Sequence, residues 1–153
     1  MKVNFRVLLI CIIIPLFLGS LVGFITAPYN DYNSFIKPSF SPPAIVFPIV
    51  WTILYTLMGI SSYLIVQSDD SLKNEALFVY GIQLLINLFW SILFFVFDLY
   101  LLSFIWILVL IGFVVLMIKK FYDINKLSAY LQIPYLIWLI FAAILNFSIY
   151  ILN

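Results

Sequence analysis

Charge is confined to a few short stretches of this chain, and that confinement limits the fold more than any motif does. It falls at Lys2 and Arg6, at Asp31 and Lys37, at Asp69, Asp70, Lys73 and Glu75, at Asp98, and at Lys119, Lys120, Asp123 and Lys126. A helix crosses a hydrocarbon core of about 30 Å with about 20 apolar residues, and the long gaps between these clusters are all sufficient. Of 153 residues, 67% are hydrophobic and 8% charged. Soluble domains average about 25% charged, and a small domain has too little interior to hide so much apolar surface. The surrounding solvent is therefore lipid. The gaps read as spans at 7–27, 44–66, 76–97, 99–118 and 127–152, with an outer loop at 28–43. The expected fold is an all-α integral membrane protein, a single domain over 1–153 built as a bundle of five transmembrane helices. Only Asp98 divides the third span from the fourth, so a tight turn is required near Phe97–Tyr100, although no Gly or Pro marks it.

Five spans put the two ends of the chain on opposite sides. The side of the N-terminus carries Lys2, Arg6, Lys73, Lys119, Lys120 and Lys126, and the other carries only Lys37. Basic loops stay cytoplasmic, so the expected arrangement is N-terminus inside, C-terminus outside and the 28–43 loop outward, in a bacterial cell membrane. The first apolar run exceeds the 7–15 residues of a signal peptide, and Pro28 follows the best cleavage point at Ala27, so the run reads as a retained span. Cys11 is the one cysteine; it has no disulfide partner and reads as a small apolar core residue.

Much chemistry is missing. The chain has no His and no Cys pair, and its spans hold no carboxylate. This leaves no zinc, haem-axial or Cys–His set and no metal site. Pumps that move protons keep an ionisable group at membrane depth, and none stands here. Phosphate-binding loops, nucleophile elbows and basic patches for nucleic acid are absent too.

The polar residues left inside the spans form stripes. Gln83, Asn87, Trp90, Ser91 and Phe94 recur at helical spacing in the third span. Amides in lipid need partners, and these read either as glue between helices or as the polar floor of a ligand site. The second span offers Trp51, Tyr55, Gly59 and Ser62, and the fifth Tyr135, Trp138, Ala142 and Asn146. Tryptophans and tyrosines favour the headgroup level, but Trp138 lies about three turns inside its span, which points it inward. Pro134 is expected to interrupt hydrogen bonding in the fifth helix and kink it. Gly19-x-x-x-Gly23 reads as a small-residue face for close helix contact. Ahead of the second span, Lys37-Pro-Ser-Phe-Ser-Pro-Pro43 is a proline-stiffened connector leading through Pro48 to Trp51 and Tyr55.

In order, Lys37-Pro38-Ser39-x-x-Pro42-Pro43 with Pro48-x-x-Trp51-x-x-Leu54-Tyr55-x-x-Met58-Gly59, then Gln83-x-x-x-Asn87-x-x-Trp90-Ser91-x-x-Phe94-Phe95, then Pro134-Tyr135-x-x-Trp138-x-x-Phe141-Ala142-x-x-x-Asn146, resemble the second, third and fifth helices of the TspO/MBR family. These are the tryptophan-rich sensory proteins of bacteria, related to the mitochondrial translocator protein or peripheral benzodiazepine receptor. The resemblance covers the whole chain. It implies a membrane receptor, sensor or carrier, often a homodimer, that binds tetrapyrroles such as protoporphyrin IX, or other hydrophobic small molecules, with no obligatory cofactor. Carried over by position, the pocket comprises Trp51, Tyr55, Asn87, Trp90, Tyr135, Trp138, Ala142 and Asn146. Tyr32, Lys37, Pro42 and Pro43 stand above it in a lid, and Lys37 is placed to meet a ligand carboxylate at the rim. The expected cavity lies between the second, third and fifth helices.

Two departures weaken the lid's grip: Asp31 and Phe40 stand where the family often has Trp, and Asp31 is expected to repel propionates. The C-terminal cholesterol pattern of animal relatives is missing, since only Ile151-Leu152-Asn153 follow Tyr150, while Leu116…Tyr122…Lys126 fits a loose form of it. Two alternatives stay open. One is light-dependent porphyrin degradation, with Trp51 and Trp138 as electron partners of an excited porphyrin that carries the chemistry itself. The other is transport of porphyrins or other hydrophobic ligands.

Overall fold

Lipid cannot satisfy an exposed peptide group, so each apolar run closes its own hydrogen bonds as a helix. In the computed structural model, which describes residues 2–153, α1 covers Phe5–Thr26 and continues as a 3₁₀ turn at Ala27–Tyr29. Helices α2 (Val46–Val66) and α3 (Lys73–Ser91) follow, and α3 runs on through a wide π-type turn at Ile92–Val96. Then come α4 (Tyr100–Ile124), the short α5 (Lys126–Tyr130) and α6 (Ile133–Leu152). With α5 and α6 counted together, 5 segments are long and apolar enough to cross a membrane, and there is no strand among the described residues. The chain is an all-α, five-span membrane protein.

The turn between α3 and α4 has a stop signal of its own. Asp98 adopts the left-handed conformation, φ 52°, and the Leu99 N–H reaches back to the Leu93 carbonyl at 3.1 Å. This closure spans seven residues, one more than a Schellman cap, because the π-type turn before it is wide; Asp stands in the left-handed position that Gly usually takes.

The fifth span departs from expectation. The chain breaks at Leu131–Gln132, and Pro134 lies in the first turn of α6, where its missing N–H costs no intrahelical bond. Pro134 therefore starts a helix and does not kink one. The break leaves Gln132 fully buried, with neither amide atom hydrogen-bonded.

Helix α1 lies along α2, and α4 packs between α3 and α6. Pro15 removes the donor for the Cys11 carbonyl one turn earlier. Gly59 brings the α2 backbone against that carbonyl: a Cβ at 59 would stand 2.8 Å from Cys11 O and overlap Ile12 Cα. Met58, Ile65, Leu84, Leu110, Val114, Met117 and Leu139 form the core below. Apolar residues such as Phe24, Phe78 and Ile137 are left exposed, as a lipid-facing surface requires. The basic end of the bundle is tied shut. Ser61 and Ser128 each donate to the other's carbonyl at 2.8 Å; the Asn4 N–H donates to Tyr63 Oη at 2.9 Å; and Lys120 pairs with Glu75 at 2.6 Å. At the opposite end, beneath the loop before α2, the helices part.

Candidate ligand-binding site

The space between them is a cavity of about 630 Å³, within the range of sites that enclose a drug-sized molecule. Its wall is built by helical spacing. Phe47, Trp51 and Tyr55 present successive turns of α2, and Trp138, Ala142 and Asn146 do the same on α6. From α3 come Asn87, Trp90 and Ser91, and the wide turn after Ser91 brings both Phe94 and Phe95 to the lining, a common use of such turns. Gly19, Ser20, Gly23 and Thr26 of α1 form the remaining side, and Asn30, Asp31, Tyr32, Asn33 and Phe35 rim the mouth.

The polar side chains of the floor are bound to one another. The Tyr55 hydroxyl donates to Asn87 Oδ1 at 2.9 Å, Asn87 Nδ2 donates to Tyr135 Oη at 2.8 Å, and the Tyr135 hydroxyl donates to Gln83 Oε1 at 2.9 Å. On the mouth side of this relay, Trp90 Nε1 donates to Asn146 Oδ1 at 3.0 Å and Asn146 Nδ2 to the Tyr100 carbonyl at 2.8 Å. The same amides thus join α2, α3 and α6 and face the cavity, so glue and floor are one structure. Within this relay only Gln83 Nε2 lacks a partner; a network so nearly paired is rigid at low dielectric, which holds the aromatic faces above it. Trp51 stacks on Tyr55 with centroids 5.3 Å apart, and Trp90 on Phe94 at 5.0 Å. Trp138 lies 5.9 Å from Phe47 and 5.3 Å from Phe141; its indole N–H is buried without an acceptor.

The loop over the mouth is held by its own contacts. Tyr32 Oη donates to the Pro42 carbonyl at 2.8 Å, and its ring meets Phe47 at 5.2 Å. Partial burial raises the Tyr32 phenol above its ordinary pKa, an effect the Ser41 hydroxyl opposes. The Asn153 amide clasps Ile36 from both sides, accepting from its N–H at 3.0 Å and donating to its carbonyl at 2.9 Å. Phe40 rests against Phe141, with centroids 6.4 Å apart.

Of the residues expected at the site, Tyr32, Trp51, Tyr55, Asn87, Trp90, Trp138, Ala142 and Asn146 line the cavity. Four do not. Tyr135 is buried behind the floor at 1% exposure. The Pro43 carbonyl accepts the first N–H of α2, and Pro42 serves only as the acceptor for Tyr32. Lys37 turns inward on the loop: its ammonium donates to the Tyr32 carbonyl at 2.6 Å and sits 4.2 Å from the Tyr32 ring centroid. The cavity also has a side formed by α1, which the expected three-helix site lacked. Its signal is Gly19-x-x-x-Gly23, whose glycines divide the work. A Cβ at Gly19 would collide with the Tyr55 ring, whereas nothing lies within 4 Å of one at Gly23.

Chemically the lining offers aromatic faces and paired amides. It holds one ionisable carboxylate, Asp31, and no base to work with it, and no cluster of metal-ligating side chains exists among the described residues. The lining presents flat apolar surface and no acid–base pair.

A family model described as TspO/MBR family matches residues 11–152. The chain is 38% identical to the tryptophan-rich protein TspO of Chlorobaculum tepidum, over 80% of this chain and 78% of that protein. It is 37% identical to the protein of that name from Archaeoglobus fulgidus, over 98% and 99% of the two chains. It is 31% identical to the translocator protein of Bos taurus, over 87% and 84%.

Proposed function

Because the chain belongs to the TspO/MBR family of sensory and translocator proteins, we propose that it is a membrane receptor or carrier whose cavity takes up a flat hydrophobic ligand of the tetrapyrrole class, protoporphyrin IX being the reference compound. The observation that carries this reading is a cavity of about 630 Å³ bordered by Trp51, Trp90 and Trp138 on three different helices. A porphyrin presents two wide π-faces, and aromatic pairs add about 0.5–1.5 kcal/mol each beyond the area they bury. The mutually bonded floor leaves little demand for polar groups in the ligand's centre. The loop above, tied to Asn153, is the natural lid. We place the N-terminus in the cytoplasm of a bacterial cell from the basic end of the bundle, so the lid faces outward and the ligand enters from that side or from the outer leaflet.

Titration of the purified protein with protoporphyrin IX is expected to quench tryptophan fluorescence saturably. The double variant Trp51→Phe, Trp138→Phe is expected to weaken binding by about tenfold, the loss of two stacking contacts of about 0.7 kcal/mol each. Unchanged affinity in that variant overturns the stacking site.

A further inference from the structure

The ionic character of the cavity narrows the ligand class further, on the premise that the cavity is the tetrapyrrole site. Asp31 is the only charged residue on its lining. No cation answers it: the one ion pair among the described residues joins Lys120 to Glu75 at the far end of the bundle. The nearest candidate in sequence, Lys37, is committed elsewhere, its ammonium held by the Tyr32 carbonyl at 2.6 Å, by Asn33 Oδ1 at 3.4 Å and over the Tyr32 ring. Asp31 itself is fixed in place, since its Oδ1 accepts the Asn33 N–H at 3.2 Å and its carbonyl accepts from Ser34 Oγ at 2.8 Å. A second carboxylate, Asp98, lies exposed at the same end of the bundle. Deeper in, every lining side chain is neutral, and Asn87 and Asn146 are engaged by Tyr55, Tyr135, Trp90 and the Tyr100 carbonyl.

An anionic group on a ligand therefore finds no counter-charge within the cavity and a fixed negative charge at its mouth. Taking a carboxylate out of water without a partner is costly, and like charges at the rim add to that cost. We propose that this cavity selects flat ligands whose peripheral groups are neutral or cationic over those that carry free carboxylates, and that Asp31 is the residue that sets this preference. Among porphyrins the preferred form is the ester, amide or amine-bearing ring, ahead of the free dicarboxylic acid.

The test compares protoporphyrin IX with its dimethyl ester on the full chain in nanodiscs of zwitterionic lipid, for the unaltered protein, Asp31→Asn and Asp31→Lys. Asn keeps the oxygen that accepts from Asn33, so the turn survives. The quantity read is the ratio of diacid to ester affinity; partition of each porphyrin into lipid is common to all three proteins and cancels between them. At low ionic strength the ratio is expected to favour the ester in the unaltered protein, to shift toward the diacid by about threefold in Asp31→Asn, and by about tenfold in Asp31→Lys. High salt should shrink both shifts, because the mouth is in contact with water. A ratio that neither variant moves, or an unaltered protein that prefers the diacid, overturns the inference while leaving the tetrapyrrole site intact. Failure of both porphyrins to bind all three proteins overturns the site and the inference together.

Discussion

Asn87 and Gly19 show how much of the site depends on single positions. Asn87 stands where three helices meet and uses its oxygen for Tyr55 and its nitrogen for Tyr135. Its amide at helical spacing from Gln83 and Trp90 was visible in the sequence, because period alone assigns a face. Its two phenol partners were not, because they come from residues 32 and 48 positions away. Gly19 and Gly23 look equivalent in the sequence, yet one is a packing position and the other faces space. Gly19→Val is expected to drive the Tyr55 ring into the cavity and break its bond to Asn87. The cost is about 1–3 kcal/mol for the stranded buried partner, and porphyrin binding should be lost with it. Gly23→Ala should keep stability within about 1 kcal/mol, since the space is open and Ala favours a helix. Melting curves in detergent with a parallel porphyrin titration check the pair; equal damage at both positions would refute the division.

At the scale of elements, the helix runs were set by lipid, and their ends by local chemistry of uneven legibility. The α3–α4 turn had to fall at Asp98 because no single crossing spans both apolar runs. That it would close as a widened cap on a left-handed Asp was not readable, since Gly is the usual signal there. Pro134 was legible as a disturbance and misleading as to kind: the chain breaks just before it, so it opens α6. The lid is the element whose anchoring the sequence hid. Its hydrogen-bonded tie to the end of α6 is the Asn153–Ile36 pairing, a contact between residues 117 apart. Asn153→Ala removes both bonds and should raise porphyrin association and dissociation rates severalfold, each hydrogen bond being worth about 1 kcal/mol, with less effect on the dissociation constant. Stopped-flow quenching measures both rates, and unchanged rates would mean that the lid opens elsewhere.

For the whole molecule, the cavity and the charge asymmetry lie at opposite ends: one end is tied shut by Ser61, Ser128 and the Glu75–Lys120 pair, and the other opens under the loop. This polarity makes orientation testable. In a Cys11→Ser background, Ser34→Cys in the lid should react with a membrane-impermeant maleimide on intact cells, and Ser71→Cys between α2 and α3 only after permeabilisation. The reverse pattern would turn the cavity toward the cytoplasm.

By itself the sequence determined that this chain lives in lipid as five helices, because confinement of charge to the loops leaves no other way to pair the backbone. It also determined which faces of the second, third and fifth spans carry aromatic and amide groups, because helical period is local. Only the tertiary structure decided that α1 closes the cavity, that Lys37 turns onto Tyr32 and forms no ion pair with Asp31, and that the floor amides find partners on other helices. The first and last of those outcomes depend on side chains from different helices meeting in space and the second on how an irregular loop folds back on itself, and the spacing along one chain carries no record of either.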